Sequence, residues 1–272
     1  MSRNWLAGNP LFGFFALAFG ISWGGILLIL AVTGFAMSAL QPVEGGLIFL
    51  AMLLGPSVSG LVFTAGLEGR AGLRRLAVSA GHWRVAARWY AVAMLTIPAL
   101  LLLILAVLAT FADPAFAPQF HWTLLGVGLV AGAFEEIGWT GFATPRFLAG
   151  RGLGAGGLII GLLWAVWHLP VDVRYNLDTM GAYLLLEFAI VYLATLTPYR
   201  LLMTWVYSNT QSLLLAVLMH ASFTGWLLAL FPATTLLQSL IWQSVFALVL
   251  WVMAAVVLVL TKARHFDARR LA

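Results

Sequence analysis

Apolar residues along most of this chain do not alternate with polar ones at a strand or surface-helix period. They run continuously, interrupted by glycine, proline and short charged clusters. Runs of this length exceed what a strand uses and match the roughly 20 apolar residues a helix needs to cross a bilayer. Spans are therefore expected at about 11–32, 45–66, 88–111, 122–143, 154–169, 182–206, 211–231 and 237–261. This predicts an all-α, polytopic membrane protein with about eight transmembrane helices, folded as one domain over 1–272. The sixth and seventh spans are divided at the polar string 207–212, where Ser208, Asn209 or Thr210 suits a turn or an N-cap. Pro198 and Arg200 offer a rival break, with Arg200 expected to snorkel to the interface.

Composition agrees with that pattern. Of 272 residues, 63% are hydrophobic and 8% charged, against the quarter or so charged that a water-soluble domain carries. Twelve tryptophans and 18 phenylalanines suit a chain whose aromatic rings settle at two lipid interfaces. The net charge of +5 sits in clusters between apolar runs, where orientation signals belong, so neither nucleic acid nor nucleotide is expected as a partner. One set of loops carries Arg70, Arg74, Arg75, Arg84 and Arg88, then Arg146 and Arg151, then the tail from Lys262; the alternate set carries Glu44, Asp113, Asp172, Arg174 and Asp178. By the positive-inside rule both termini are cytoplasmic, and the first run, preceded by Arg3, is an uncleaved span of an integral membrane protein. The stretch 67–87 reads as interfacial and amphipathic, with Leu73, Leu76 and Trp83 toward lipid. Three pairs of small residues, Gly20 with Gly24, Gly128 with Gly132 and Gly157 with Gly161, allow close helix packing inside the molecule. With no cysteine, disulfides, thiolate metal sites and a cysteine nucleophile are excluded.

Chemistry enters with the ionisable groups at bilayer depth, since a carboxylate there costs on the order of 3 kcal/mol by insertion scales. Glu135 and Glu136 lie in the fourth span, His168 ends the fifth, Glu187 opens the sixth, and His220 lies in the seventh. Adjacent glutamates on a helix point about 100° apart, so both address one cavity only if it spans a broad face. Two like charges so close cannot both stay ionised in a dry site, which leaves one of them able to take and return a proton. Pro170 loosens the helix just after His168. Counted from the cytoplasmic ends, Glu136 lies about 10 Å deep, His220 about 15 Å and His168 about 20 Å.

A carboxylate base with two imidazoles is equipment for activating water, either bound to a divalent ion or held by hydrogen bonds. No two of the five histidines lie four apart as the H-E-x-x-H zinc-protease signature demands, and neither a Gly-x-Ser-x-Gly elbow nor a phosphate-binding loop is present.

The string Phe134-Glu135-Glu136-Ile137-Gly138-Trp139-Thr140-Gly141-Phe142 resembles the first motif of the CPBP intramembrane metalloprotease family, which contains CAAX prenyl endopeptidases and bacteriocin-processing or immunity proteins. Trp164-Ala165-Val166-Trp167-His168-Leu169-Pro170 resembles its second motif, and Thr210-Gln211-Ser212-Leu213 with His220-Ala221-Ser222-Phe223-Thr224 its third. Order, spacing and helix placement match over roughly 120–230, a catalytic four-helix core. The resemblance implies an eight-helix fold with a conical cavity open to the cytosol. Within it Glu135 would be the general base, Glu136 its supporting partner, and His168 and His220 the groups that orient water or, with Glu135, bind a metal, zinc best suiting the set.

Two positions depart from the pattern. Family members often have arginine where Thr140 stands and asparagine or aspartate where Thr224 stands, so Thr224 offers a hydroxyl in place of an amide toward water or a developing oxyanion. Arg146 is the candidate replacement for the missing cation. The expected activity is hydrolysis of a peptide bond in a membrane-associated substrate. The alternatives are a catalytically silent relative that binds a peptide, as in bacteriocin self-immunity, and a proton-coupled transporter using the same charges as a relay.

Overall fold

The computed structural model describes residues 8–33, 41–171 and 182–261, and there the apolar runs are helices with no strand among them. In chain order these are α1 (Pro10–Thr33), α2 (Pro42–Ala80), α3 (Ala87–Phe111), α4 (Leu125–Gly138), α5 (Thr144–Trp167), α6 (Ala182–Glu187), α7 (Thr195–Thr210), α8 (Leu213–Ala229) and α9 (Leu236–Thr261). Two π-helical segments, Trp139–Ala143 and Phe188–Ala194, join α4 to α5 and α6 to α7. Among the described residues, six helical stretches are long and apolar enough to cross a membrane, and α8 is a shorter apolar helix of 17 residues. The all-α polytopic architecture is therefore present.

One expected boundary moves. Residues 144–151, taken as a loop because they carry Arg146 and Arg151, are helical; the chain turns instead at Gly152 (φ 69°, ψ −177°), a conformation only glycine adopts without strain. The stretch 67–87 is helical as far as Ala80, set off from the first part of α2 by a kink at Gly69 (φ 61°, ψ −150°). Leu76 packs inward against the core rather than toward lipid, while Trp83 stays exposed. The charged residues Asp172, Arg174, Asp178, Arg3 and the tail from Lys262, and with them the orientation of the termini, lie outside the described residues. Arg146 reaches Glu68 at one end of the bundle, and Gln238 donates to Asp113 at the other.

Close packing of small residues sets the site's geometry. On α4, a Cβ at Gly132 would fall 2.6 Å from the Val217 carbonyl, so bare backbone lets α4 lie directly on α8 and brings the glutamates beside His220. On α5, Gly161 does the same against α7, where a Cβ would lie 2.7 Å from the Thr197 carbonyl. Gly20 and Gly24, the third pair expected to pack internally, meet nothing within 4 Å and lie on an open face of α1. Two cross-helix bonds pin the arrangement: Ser57 Oγ donates to the Phe134 carbonyl at 2.8 Å, and Trp23 Nε1 to the Trp167 carbonyl at 2.9 Å. Trp139, Trp164, Trp167, Phe142 and Tyr199 are fully buried around the inner ends of α4, α5 and α7.

Candidate active site

Glu135 and Glu136 occupy the last turn of α4, just before the π-helical segment. A π-turn widens the helix by one residue and re-aims the side chains on either side of it. Here Trp139 and Thr140, one turn on, lie under the two carboxylates, so that the Trp139 indole N–H donates to Glu135 Oε2 (3.3 Å) and the Thr140 hydroxyl to Glu136 Oε2.

Glu136 is completely engaged. Arg200, from the middle of α7, donates through both terminal nitrogens to its two oxygens at 2.8 Å, and His220 Nδ1 donates to Oε1 at 2.6 Å. All three side chains are buried to 2% exposure or less. A buried carboxylate without a cation would be several kcal/mol out of balance, and a bidentate guanidinium is the strongest available compensation. Arg200 is itself sandwiched, its guanidinium carbon 4.2 Å from the centre of the Trp164 ring. The cation missing at position 140 thus stands at position 200, on another helix.

This overturns two expectations. Arg200 does not snorkel to an interface: α7 continues to Thr210, which leaves Arg200 ten residues from the helix end, about 15 Å deep at 1.5 Å per residue. Nor does Arg146 replace the motif arginine. It bonds Glu68 and the Phe142 carbonyl (2.7 Å) and lies 3.6 Å over the Phe142 ring.

Glu135 is held differently. Oε2 accepts from two indoles, Trp139 and Trp164 (3.1 Å), and Oε1 lies 4.0 Å from His220 Nε2 with no bond between them. Because His220 Nδ1 carries the proton donated to Glu136, Nε2 presents a lone pair toward Glu135, a tautomer assigned from its partners.

His168 belongs to a second layer. Its Nδ1 donates to the Trp164 carbonyl at 2.8 Å, which leaves Nε2 as the unbonded ring nitrogen. With Trp164, Tyr192, Thr224 and Gln243 it lines a mostly apolar cavity of about 150 Å³. Trp164 is shared by both layers, its ring centre 5.3 Å from that of His220 and 5.5 Å from that of His168. Among the described residues neither Thr224 nor Gln243 has a hydrogen-bond partner. Glu187, the remaining candidate, ends α6 with Oε2 buried and unpartnered, and does not join this set.

The structure therefore brings together Glu135, Glu136 and His220, and sets His168 with Thr224 in a cavity that shares Trp164 with them. No three His, Asp or Glu side chains among the described residues gather into a group able to hold a metal ion. Glu135, His168 and His220, the trio the resemblance implies for a metal, do not form such a group as arranged. Three contributors escaped the sequence reading: Arg200, the two indoles on Glu135, and Gln243. An arginine and a glutamine inside long apolar runs were the available signals for two of them.

Residues 117–226 match the family described as type II CAAX prenyl endopeptidase Rce1-like. Over 147 residues the chain is 24% identical to CAAX prenyl protease 2 of Methanococcus maripaludis, an alignment covering 51% of this chain and 50% of that relative, so the chain spans about half of the relative's length. Three motifs in order and a glutamate pair seated against a histidine from another helix agree with that similarity: residues 117–226 of this integral membrane protein are similar to the type II CAAX prenyl endopeptidases.

Proposed function

We propose that this protein is an intramembrane endopeptidase that activates water between Glu135 and His220 and cleaves a peptide bond of a membrane-associated substrate. The observation that carries the reading is the 4.0 Å gap between Glu135 Oε1 and His220 Nε2, both of them acceptors and both fixed from behind. A water about 2.8 Å from each subtends an angle close to its own and donates both protons inward. Its lone pairs then point away from the protein groups, toward a substrate carbonyl. Glu135 takes the proton as the water attacks and returns it to the leaving amine, the two-step role a general base performs in peptide hydrolysis. Glu136 and Arg200 act behind His220: they fix its tautomer and keep the layer electrically balanced.

The substrate's peptide unit is assigned to the cavity of His168, Thr224 and Gln243, where a primary amide, a hydroxyl and an imidazole nitrogen have no partner among the described residues. The relative's name specifies a prenylated C-terminal substrate, so a cleavage library for this chain should hold both prenylated and plain peptides. The silent, peptide-binding reading drew on the losses at 140 and 224, and Arg200 removes the first of those.

Glu135→Gln is the direct test in purified, reconstituted protein. The glutamine carbonyl still accepts from both indoles and its amide faces His220 Nε2, so folding is retained, while cleavage falls by about 10³-fold or more through loss of the base. Survival of cleavage would remove Glu135 from the mechanism, and survival of peptide binding without cleavage in either protein would favour the immunity reading. Because the water is held by hydrogen bonds, incubation with a zinc chelator leaves the wild-type rate unchanged; a loss restored by added zinc would replace this arrangement with a metal-bound water.

A further inference from the structure

The arginine-rich end of the bundle is hollow. A cavity of about 1330 Å³ lies between the tail of α2 beyond Gly69 and the beginning of α5, and Arg70, Arg74, Arg75 and Arg146 all line it. Among the described residues Glu68 is the only carboxylate in its wall, and it is already shared by Arg75 and Arg146. Four guanidinium groups therefore face one carboxylate, and Arg70 and Arg74 have no partner among the described residues.

Arginines that served only to orient the chain would do so on any solvated loop. Here residues more than 70 positions apart in sequence, Arg70 to Arg75 on one side and Arg146 on the other, are turned into one concavity. Guanidinium forks match phosphate oxygens in geometry and charge. The level is interfacial: on the same side of the bundle Arg84 lies over the Trp83 ring and Arg88 over Trp89, at 5.2 and 5.5 Å, the pairing of aromatic and basic groups found at a membrane boundary. The rest of the wall includes the apolar Leu76 and Val78, Val78 being 64% exposed. A cationic, interfacial concavity with an apolar margin suits an amphiphile with an anionic head better than a fully polar acidic peptide.

We propose that this vestibule is a binding site for the phosphate headgroup of an anionic membrane phospholipid, with Arg70 and Arg74 as its ligands and Glu68 holding Arg75 and Arg146 in register. The site is separate from Glu135 but not remote. Gly141, five residues past Glu136, lines it, and Leu76 from the α2 tail packs so tightly over Gly141 that a Cβ there would lie 2.4 Å from Leu76 Cδ1. A headgroup bound to the tail braces that contact above the π-turn.

The test is lipid binding, which does not depend on the peptidase reading. Native mass spectrometry of the full chain from micelles holding equal phosphatidylglycerol and phosphatidylcholine should show bound phosphatidylglycerol preferred by about tenfold or more, the scale of two interfacial arginines. In Arg70→Gln/Arg74→Gln, which leaves every hydrogen bond of Glu68 intact, the preference should vanish with melting temperature in neutral detergent unchanged. Equal binding of the two lipids, or a preference that survives the double substitution, overturns the proposal. So does displacement of the lipid by millimolar inorganic phosphate, which would assign the site to a soluble anion, or by a short poly-glutamate peptide, which would assign it to an acidic protein segment.

Discussion

The two layers that meet at Trp164 are built on opposite rules. On the Glu136 side both carboxylate oxygens and His220 Nδ1 are bonded within a buried network that includes Arg200 and Thr140. On the His168 side Thr224 and Gln243 have no partner among the described residues, and His168 has one ring nitrogen with no bond within them. A saturated polar network is rigid and specifies one arrangement, whereas unpartnered groups lining a cavity await a ligand. Adjacent glutamates show the same division in miniature. Glu136 is an anchor, and Glu135, with one oxygen fixed and the other facing a gap, is a reagent. Motif position alone does not separate these roles; the number of bonds each oxygen makes does.

The largest effect is expected from breaking the anchor. Arg200→Met removes the cation from a buried carboxylate and should destabilise the protein by roughly 3–5 kcal/mol, read as a large drop in melting temperature with loss of cleavage. Because the penalty is that of an unbalanced charge, adding Glu136→Gln should recover much of the stability but not full activity, since His220 then loses its anionic partner. Two losses that simply add would mean that the ion pair is not what holds α4 to α7.

That anchor also marks the limit of what the sequence revealed. The helices, the apolar outer face and the convergence of Glu135, Glu136 and His220 could all be read from run length, intramembrane charge and motif spacing. Arg200 was visible as a residue but not as a partner, because Pro198 beside it reads as a break, and only packing decides that α7 passes through it unbroken to Thr210. Positions 144–151 misled for a related reason: arginines signal a loop on average, yet Arg146 finds Glu68 and the Phe142 ring and remains helical. The π-turn at Trp139–Ala143 has no sequence period of its own, whereas Trp139 and Thr140, four residues past the glutamates, share their face at ordinary helical spacing. Depth counting sets His168 at about 20 Å, deeper than Glu136 and His220, and only the motif resemblance groups it with them.

The next expected effect distinguishes the layers directly. His168→Ala removes a cavity-lining imidazole whose only hydrogen bond is local, to the Trp164 carbonyl. Cleavage should fall by about 10²–10³-fold, within the span for a proton-transfer or orienting group, with the melting temperature nearly unchanged. His220→Ala, by contrast, opens a hole beside Glu136 and should lower both. If the two alanine variants lose stability equally, the contrast between a bonded and an open layer does not hold.

The smallest effect is the sharpest probe of the open layer. Gln243 is a primary amide within the long apolar helix α9, lines the cavity with His168 and Thr224, and has no partner among the described residues. Its amide carries both a donor and an acceptor, the complement of a peptide unit, and so binds substrate and transition state alike. Gln243→Leu breaks no hydrogen bond within the described residues and should leave the fold intact while raising KM by about tenfold, the scale of one or two neutral hydrogen bonds, with kcat little changed. Restoring an amide from the facing helix in Gln243→Leu/Thr224→Asn should bring KM back down. A fall in kcat at constant KM would instead assign Gln243 to the developing oxyanion, where bonds strengthen only as charge appears. Unchanged kinetics in both variants would separate this cavity from the substrate and leave the glutamate layer to bind as well as cut.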